Sequence, residues 1–493
     1  MGNSRARGLQ ANALGITDTV VMAVAGSAPA YTLTATTAVL IGAVGLASPA
    51  ALLYCGIPML GIALAFCHLN RIDVNAGASY SWVGRTLHPF LGFVSGWALA
   101  VSATIFMVAG SLPAGSMTLS LFDAGLADDT SLATAVGAAW FLVMLLVVLG
   151  GARLTVRAQL FLSGIELAVL ALCAVGALLH SPDARPFDWS WLGFSHFSGV
   201  SGFSSGALIA AFYYWGWDVT SNLSEETRDS RRTTGLAGLI GVGVVFLLFE
   251  VFTIAVNIVL GPHQIQQGGA NVLAVLGEEI WPGWGGKLLI VSVMLSTVAT
   301  LETTLIQVTR SLFAMGRDRT MPSALGRVHP RWNTPWVAIV VVGAVALLMF
   351  VASVSLGSIG GILAHAVSAI GLQIAVYYGL TGLAVVVAYR RMLLKSLANF
   401  LFVGVWPLFG AVFMFWVFVE SLGQLDGASI AIGVGGLAVG LVPMLWYWMQ
   451  GVDYYRPVKL DAVRAVETDY VPDVHAVASD EQLRTHGGLS TDF

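Results

Sequence analysis

Four carboxylates stand inside long apolar stretches of this chain: Glu166, Asp218, Glu250 and Glu302. A carboxylate taken out of water costs about 2.5–3.5 kcal/mol on insertion scales, so each needs a proton, water or a cationic partner. Asp218 has the most chemically suggestive setting. It closes the run Tyr213-Tyr214-Trp215-Gly216-Trp217-Asp218, where a glycine and an acid interrupt an otherwise apolar helix. Two chemistries fit it. The carboxylate could hold an amine, with Trp215 or Trp217 stacking on the ligand or making a cation–π contact. It could equally cap the half-helix that starts at Val219. Four aromatics cannot share one side of a helix, so two of them are expected to meet a cavity.

A second interruption lies at Gly26-Ser27-Ala28-Pro29, in the middle of the apolar run 16–45. Where the helix resumes after Pro29, its first amides lack intrahelical acceptors and its dipole is positive, which suits an anion. The carbonyls ending the preceding half-helices, near Ala25 and Phe212, are expected to be free acceptors for an ammonium group. A zwitterion would satisfy both. The expected ligand-contacting set is therefore Ala25, Gly26, Ser27, Ala28, Pro29, Phe212, Tyr214, Trp215, Gly216, Trp217 and Asp218. Backbone cannot lie unpaired against lipid, so breaks at membrane depth must line a cavity or be buried in protein. Two such breaks in corresponding halves of a chain point to a substrate site.

The elements that carry these residues follow from composition. The 493 residues are 57% hydrophobic and only 10% charged, against about 25% charged in soluble domains. An all-α polytopic membrane protein is expected, embedded in the lipid bilayer. Hydropathy places about twelve spans, near 16–45 (broken), 49–69, 88–118, 132–150, 158–180, 202–226 (broken), 235–260, 286–313, 336–354, 359–389, 400–422 and 428–450. Most exceed the roughly 20 residues that a bilayer core of about 30 Å requires. Lys and Arg sort the loops: Arg71, Arg85, Arg153, Arg157, Arg228, Arg231, Arg232 and the arginines of 317–331 and 390–391 fall on one side, with both termini. Only Arg185 and Lys287 fall opposite. That bias predicts cytoplasmic termini and a cell-membrane location. The domain plan is a cytoplasmic segment 1–15, a core 16–390 with repeats 16–180 and 202–389, two appended spans in 400–450, and a cytoplasmic tail 451–493. An offset of five spans between the breaks reverses direction, implying a five-plus-five inverted repeat. Arg5 and Arg7 ahead of a short apolar run read as a helix start rather than a cleaved leader.

Three stretches carry a family resemblance. Gly216-WDVTSNLSEETRDSRR resembles the sixth-span signature of the amino acid–polyamine–organocation superfamily. Arg310-SLFAMGRDRTMPSALGRVHPRWNTP resembles its motif after the eighth span, and Asn75-AGASYSWVGRTLHPFLGFVSGW its loop between spans two and three. The likeness covers roughly residues 15–390. It implies the LeuT-type inverted-repeat fold, alternating access, and import of amino acids or related amines, usually by proton coupling or exchange. The chain departs from the pattern at the first break: many members have a Gly-Ser-Gly-like run where this one has Gly26-Ser27-Ala28-Pro29, which looks more like some amine and polyamine importers. Glu166 falls at the fifth-span position where some members carry a lysine proposed to replace a sodium ion. It lies nine residues beyond Arg157, about 13 Å along a helix, hence near mid-membrane, and could take and release a proton during a cycle.

Further expectations concern ions and gating. Glu302 and Thr300 lie in a Thr-rich eighth span that could line a cation site against the first helix, although Ser and Thr also serve close helix packing. Glu250 and His365 are weaker candidates. Glu225 and Glu226, beside Arg228, Arg231 and Arg232, are expected to join an inner gate with Asp18 or Arg85. No HExxH, GxSxG or Cys/His array points to an enzyme, a metal or another cofactor, and Cys55, Cys67 and Cys173 lie in apolar spans. No Walker motif supports ATP-driven transport, and no filter or charged ring supports a channel. A secondary transporter that imports amino acids, with a proton as expected co-substrate and no nucleic-acid partner, is the function implied; a polyamine or other organic amine importer or exchanger is the alternative, a non-transporting sensor on the same scaffold a further one, and the sequence does not set the oligomeric state.

Overall fold

The computed structural model describes residues 8–127, 129–179, 185–353, 359–457, 459, 460 and 462. Regular structure among them is helical throughout, with one isolated bridge pairing Leu14 with Thr227. The first span is two helices, α1 (Ile16–Gly26) and α2 (Pro29–Val44). α3 (Ser48–Ile72) is followed by the short α4 (Ser79–Thr86), the long α5 (Pro89–Ser120) and a single turn, α6 (Ala124–Ala127). Next come α7 (Thr130–Leu149) and α8 (Ala152–Leu179). The second broken span is α9 (Gly199–Tyr213) and α10 (Val219–Asn222). α11 (Ser230–Val259) leads through the short α12 (Pro262–Gly268) and α13 (Val272–Ile280) to α14 (Gly285–Arg317). The chain finishes with α15 (Trp336–Ser353), α16 (Ile359–Ala388), α17 (Trp406–Leu422), α18 (Gly427–Val439) and α19 (Leu441–Met449).

Ten helical stretches among the described residues are long and apolar enough to cross a bilayer. One of them, Ile16–Ile72, runs to 57 residues, about twice what a crossing needs. The turn Gly45–Ala47 divides it into two spans, and α9 with α10 adds the second broken span, so the expected twelve are accounted for. Differences from expectation are local. α8 starts six residues early because Gly151, at φ +109°, lets the chain turn directly from α7. A π-helical stretch, Asn399–Val405, precedes α17, and Gly440 separates α18 from α19. α4, α12 and α13 lie in loops where no helix is expected.

Local sequence explains the helix starts. Asp129 caps α7 through its carboxylate, accepting from Ser131 and Leu132 amides, and Asp426 does the same for α18 through Ser429. Pro29 and Pro89 occupy first-turn positions, where the missing N–H costs nothing. α14, α16 and α5 are mostly enclosed, whereas α7, α15 and the α18–α19 pair turn much of their apolar surface outward. Both broken spans sit inside this frame: α1 packs on α8, α11 and α14, and α9 on α2, α3 and α16.

Candidate functional site

The two breaks meet back to back. At the first, the amides of Ser27 and Ala28 fold back on Val24 and Ala25 carbonyls, Ala28 takes a left-handed φ of +46°, and Pro29 restarts the helix. At the second, the amide of Tyr214 reaches Ala210 and that of Trp215 reaches Phe212, after which Gly216 turns at φ +97°. A methyl group on Gly26 would collide with the Gly216 carbonyl, and one on Gly216 with the Gly26 carbonyl. The glycines are therefore required by contact between two backbones, and at Gly216 also by conformation.

The polar groups exposed by the first break are already used. Glu166 Oε1 accepts from the Ala30 amide at 2.9 Å and from Ser296 Oγ at 2.7 Å, while Ser296 Oγ accepts from the Tyr31 amide at 3.2 Å. The Thr32 amide returns to the Ala28 carbonyl. Thus the expected vacant anion site at the start of α2 holds the protein's own carboxylate. The Ala25 carbonyl accepts from Thr300 Oγ1 at 2.9 Å as well as from Ala28, and the Phe212 carbonyl accepts from Trp215. The expectation of free carbonyls at Ala25 and Phe212 is corrected on the same grounds. Unpaired backbone groups buried this deeply are costly, so distant side chains have been recruited to them. Ser27 turns its hydroxyl back to the Ala23 carbonyl.

Asp218 makes no side-chain cap to α10. Its two carboxylate oxygens instead accept from Tyr377 Oη at 3.1 Å and Tyr378 Oη at 3.0 Å, both on α16. The capping alternative is thereby set aside. Trp215 Nε1 donates to Tyr377 Oη at 2.7 Å, extending the chain of bonds across the break. The aromatics divide as helix geometry requires. Trp215 packs edge-on to Phe106, with Phe212 beside it; Trp217 packs on Tyr378 and Phe66. Tyr213 and Tyr214 point elsewhere, the former to Thr37 and the latter to the Leu52 carbonyl. Tyr214 is thus a tether to α3 rather than part of the Asp218 group. Asp218 is only 1% exposed.

Arginines close the arginine-rich side. Arg310 and Glu226, both fully buried, form a two-pronged pair at 3.0 and 3.2 Å. Glu225 accepts from Arg317 at 2.9 Å and from the Ala76 amide at 2.9 Å, and Asn222 donates to the Ala76 carbonyl. The Glu226 carbonyl accepts from Ala13 and Leu14 amides, clipping the chain ahead of α1 onto the end of the second broken span. Asp18 and Arg85 are not the partners expected for Glu225 and Glu226. Asp18 caps its own helix through the Gly15 amide, and Arg85 pairs with Asp73 at 2.9 Å. A cavity of about 1080 Å³ lies beside this latch, lined by Asp73, Arg85, Arg231, Arg317 and Tyr454 among others.

The eighth span separates two residues expected to act together. Thr300 faces α1, whereas Glu302 faces α8 and accepts from Gln159 Nε2 at 2.6 Å. Two positions apart on a helix means opposite faces, so Glu302 is no part of a cation site with Thr300. His365 lies at the partly open end of α16, 3.3 Å from Asp426. Sequence reasoning missed Tyr377, Tyr378, Arg310, Arg317 and Gln159. The adjacent tyrosines, polar-tipped in an apolar span, were a usable signal.

The chain matches the amino acid permease family over residues 14–446. It is 27% identical over 427 residues to the low-affinity putrescine importer of Escherichia coli strain K12, an alignment covering 80% of this chain and 84% of that protein. It is also 27% identical over 321 residues to human Asc-type amino acid transporter 1, covering 63% of this chain and 60% of the relative. The serine/threonine exchanger of Bacillus subtilis is 25% identical over 308 residues, covering 60% and 67%. A helical bundle with two apposed breaks and a match across most of its length makes this a multi-pass membrane transporter rather than an enzyme: the chain belongs to the amino acid permease family, within the amino acid–polyamine–organocation superfamily.

Proposed function

We propose that this permease imports a small organic amine by alternating access, coupled to uptake and release of a proton at Glu166, with both termini in the cytoplasm and the two halves of the core related as inverted repeats. One observation carries the substrate class: at the start of α2 the Ala30 amide is taken by Glu166 and the Tyr31 amide by Ser296, so neither of these amides waits for a substrate carboxylate. The remaining recognition chemistry is cationic. Asp218 lies between two tyrosine hydroxyls, with Trp215 and Trp217 on either side of the break. An ammonium group there gains a charge-assisted bond and aromatic faces. The relative that imports putrescine supports the same class.

A neutral amino acid is the second reading, favoured by the human and Bacillus relatives. On that reading a substrate carboxylate takes the α2 amides when Glu166, once protonated, releases them. Proteoliposomes offered labelled diamines, monoamines and neutral amino acids under an imposed pH gradient separate the two. Saturable amine uptake that is lost in Asp218→Asn is the expected result. Uptake of amino acids alone, with Asp218→Asn indifferent, would overturn the amine assignment.

A further inference from the structure

Helix α8 carries a file of buried polar residues. Over its first four turns Arg153, Leu154, Arg157, Leu160 and Phe161 are exposed, whereas Thr155, Gln159, Ser163 and Glu166 are buried. Their spacing of four, four and three residues puts them on one face, in a file about 17 Å long. α14 runs antiparallel alongside. Ser296 meets Glu166, and one to two turns further along Gln159 Nε2 donates to both the Ala299 carbonyl and Glu302 Oε2, each at 2.6 Å. The Thr155 side chain adjoins Glu302 at the arginine-rich end.

Three atoms in this file have no hydrogen-bond partner in the protein although they are buried: Ser163 Oγ, Gln159 Oε1 and Glu302 Oε1. Each such atom costs about 1–3 kcal/mol, and buried polar atoms are normally satisfied by protein or water. Two of the three lie between the Glu166 and Glu302 carboxylates and the third belongs to Glu302 itself, an arrangement that helix packing alone does not explain. Most other charged groups on the surrounding helices are engaged elsewhere. Glu226 pairs with Arg310, Glu225 with Arg317, Asp218 with the α16 tyrosines and Asp18 with Gly15, and Glu278 holds the Gly283 amide. Glu250, whose Oε1 also lacks a partner, belongs to α11 and is no part of this file. Glu279 and Lys287 belong to the α13–α14 end, and Arg153 and Arg157 face outward.

We propose that this file is the route by which a proton taken up at Glu166 leaves toward the arginine-rich face, with Glu302 as the second proton-holding group. Glu166 gives its proton to the hydroxyl or water at Ser163, which passes one on to the Glu302 carboxylate. Glu302 then loses a proton to water at the Thr155 end, so one proton enters and one leaves. Gln159 is a positioning residue that fixes Glu302 through its amide. The inference rests on proton coupling and adds the exit path.

The test compares net, gradient-driven uptake with substrate-for-substrate exchange at equal pH, using the full chain in proteoliposomes. Exchange requires no net proton release. In Glu302→Gln the ratio of net uptake to exchange should fall by about a hundredfold or more, and in Ser163→Ala it should fall by less but in the same direction. If Glu302→Gln does not reach the membrane, Ser163→Ala, which removes a single oxygen, decides. Ratios equal to wild type overturn the relay while leaving proton coupling intact. A wild-type protein indifferent to the pH gradient overturns both.

Discussion

Replacing Glu166 by Gln tests how the first broken span is held. In the structure this carboxylate ties the first turn of α2 to α8 and, through Ser296, to α14, with bonds of 2.9 and 2.7 Å. Hydrogen bonds to a charged acceptor contribute about 1.5–3 kcal/mol net, against about 0.5–1.5 for neutral ones. Converting two of them removes roughly 2 kcal/mol. Loss of the anion at a helix N-terminus removes about 1 kcal/mol more. The total of about 3 kcal/mol corresponds to roughly a hundredfold shift toward states in which α2 is released. Gln keeps an acceptor oxygen for the Ala30 amide, so the variant imitates the protonated acid. The sign follows: an acidic exterior protonates Glu166 and loosens α2, so wild-type uptake rises as external pH falls. Glu166→Gln should transport without that dependence. Initial uptake rates in proteoliposomes over a series of external pH values provide the measurement, with exchange at symmetrical pH as the control. A Glu166→Gln protein whose uptake still tracks the gradient as wild type does would falsify the coupling role.

Other expectations are more local. Glu226→Gln leaves the buried Arg310 guanidinium without its counter-ion and should destabilise the closed latch by about 3–5 kcal/mol; a paired apolar replacement of both residues should be milder in a thermal melt, and a double variant worse than either single one would contradict this. Tyr378→Phe removes one bond to Asp218 and should weaken amine affinity by about 1–2 kcal/mol, roughly tenfold, with little change in melting temperature; unchanged affinity argues against Asp218 as the amine receptor. Gly216→Ala places a methyl group against the Gly26 carbonyl at a backbone angle suited to glycine, so the protein should insert yet fail to occlude substrate, which saturable uptake at the wild-type level would disprove.

The class of molecule and the position of its breaks were legible because both depend on local chemistry. Too few charges to solvate 493 residues demand a bilayer, and Gly26 to Pro29 or Gly216 to Asp218 interrupt helices whatever surrounds them. Span limits agree within a few residues, the largest difference falling where Gly151 turns the chain into α8. What could not be read was who satisfies the break. The Ala30 amide finds Glu166 from 136 residues away, the Ala25 carbonyl finds Thr300 from 275 away, and Asp218 finds its tyrosines from 159 and 160 away.

Amino-acid sequence by itself determined that a membrane bundle with two weakened helices would form, since hydropathy, glycine conformation and the missing proline N–H act over a few residues. Tertiary structure alone decided that Glu166 fills the first break, that Asp218 is held by Tyr377 and Tyr378 instead of capping α10, and that Arg310 rather than Arg85 closes on Glu226. The reason is physical. Buried polar groups must be paired, but several partners of suitable chemistry exist for each, and only packing sets which one comes within 3 Å of it.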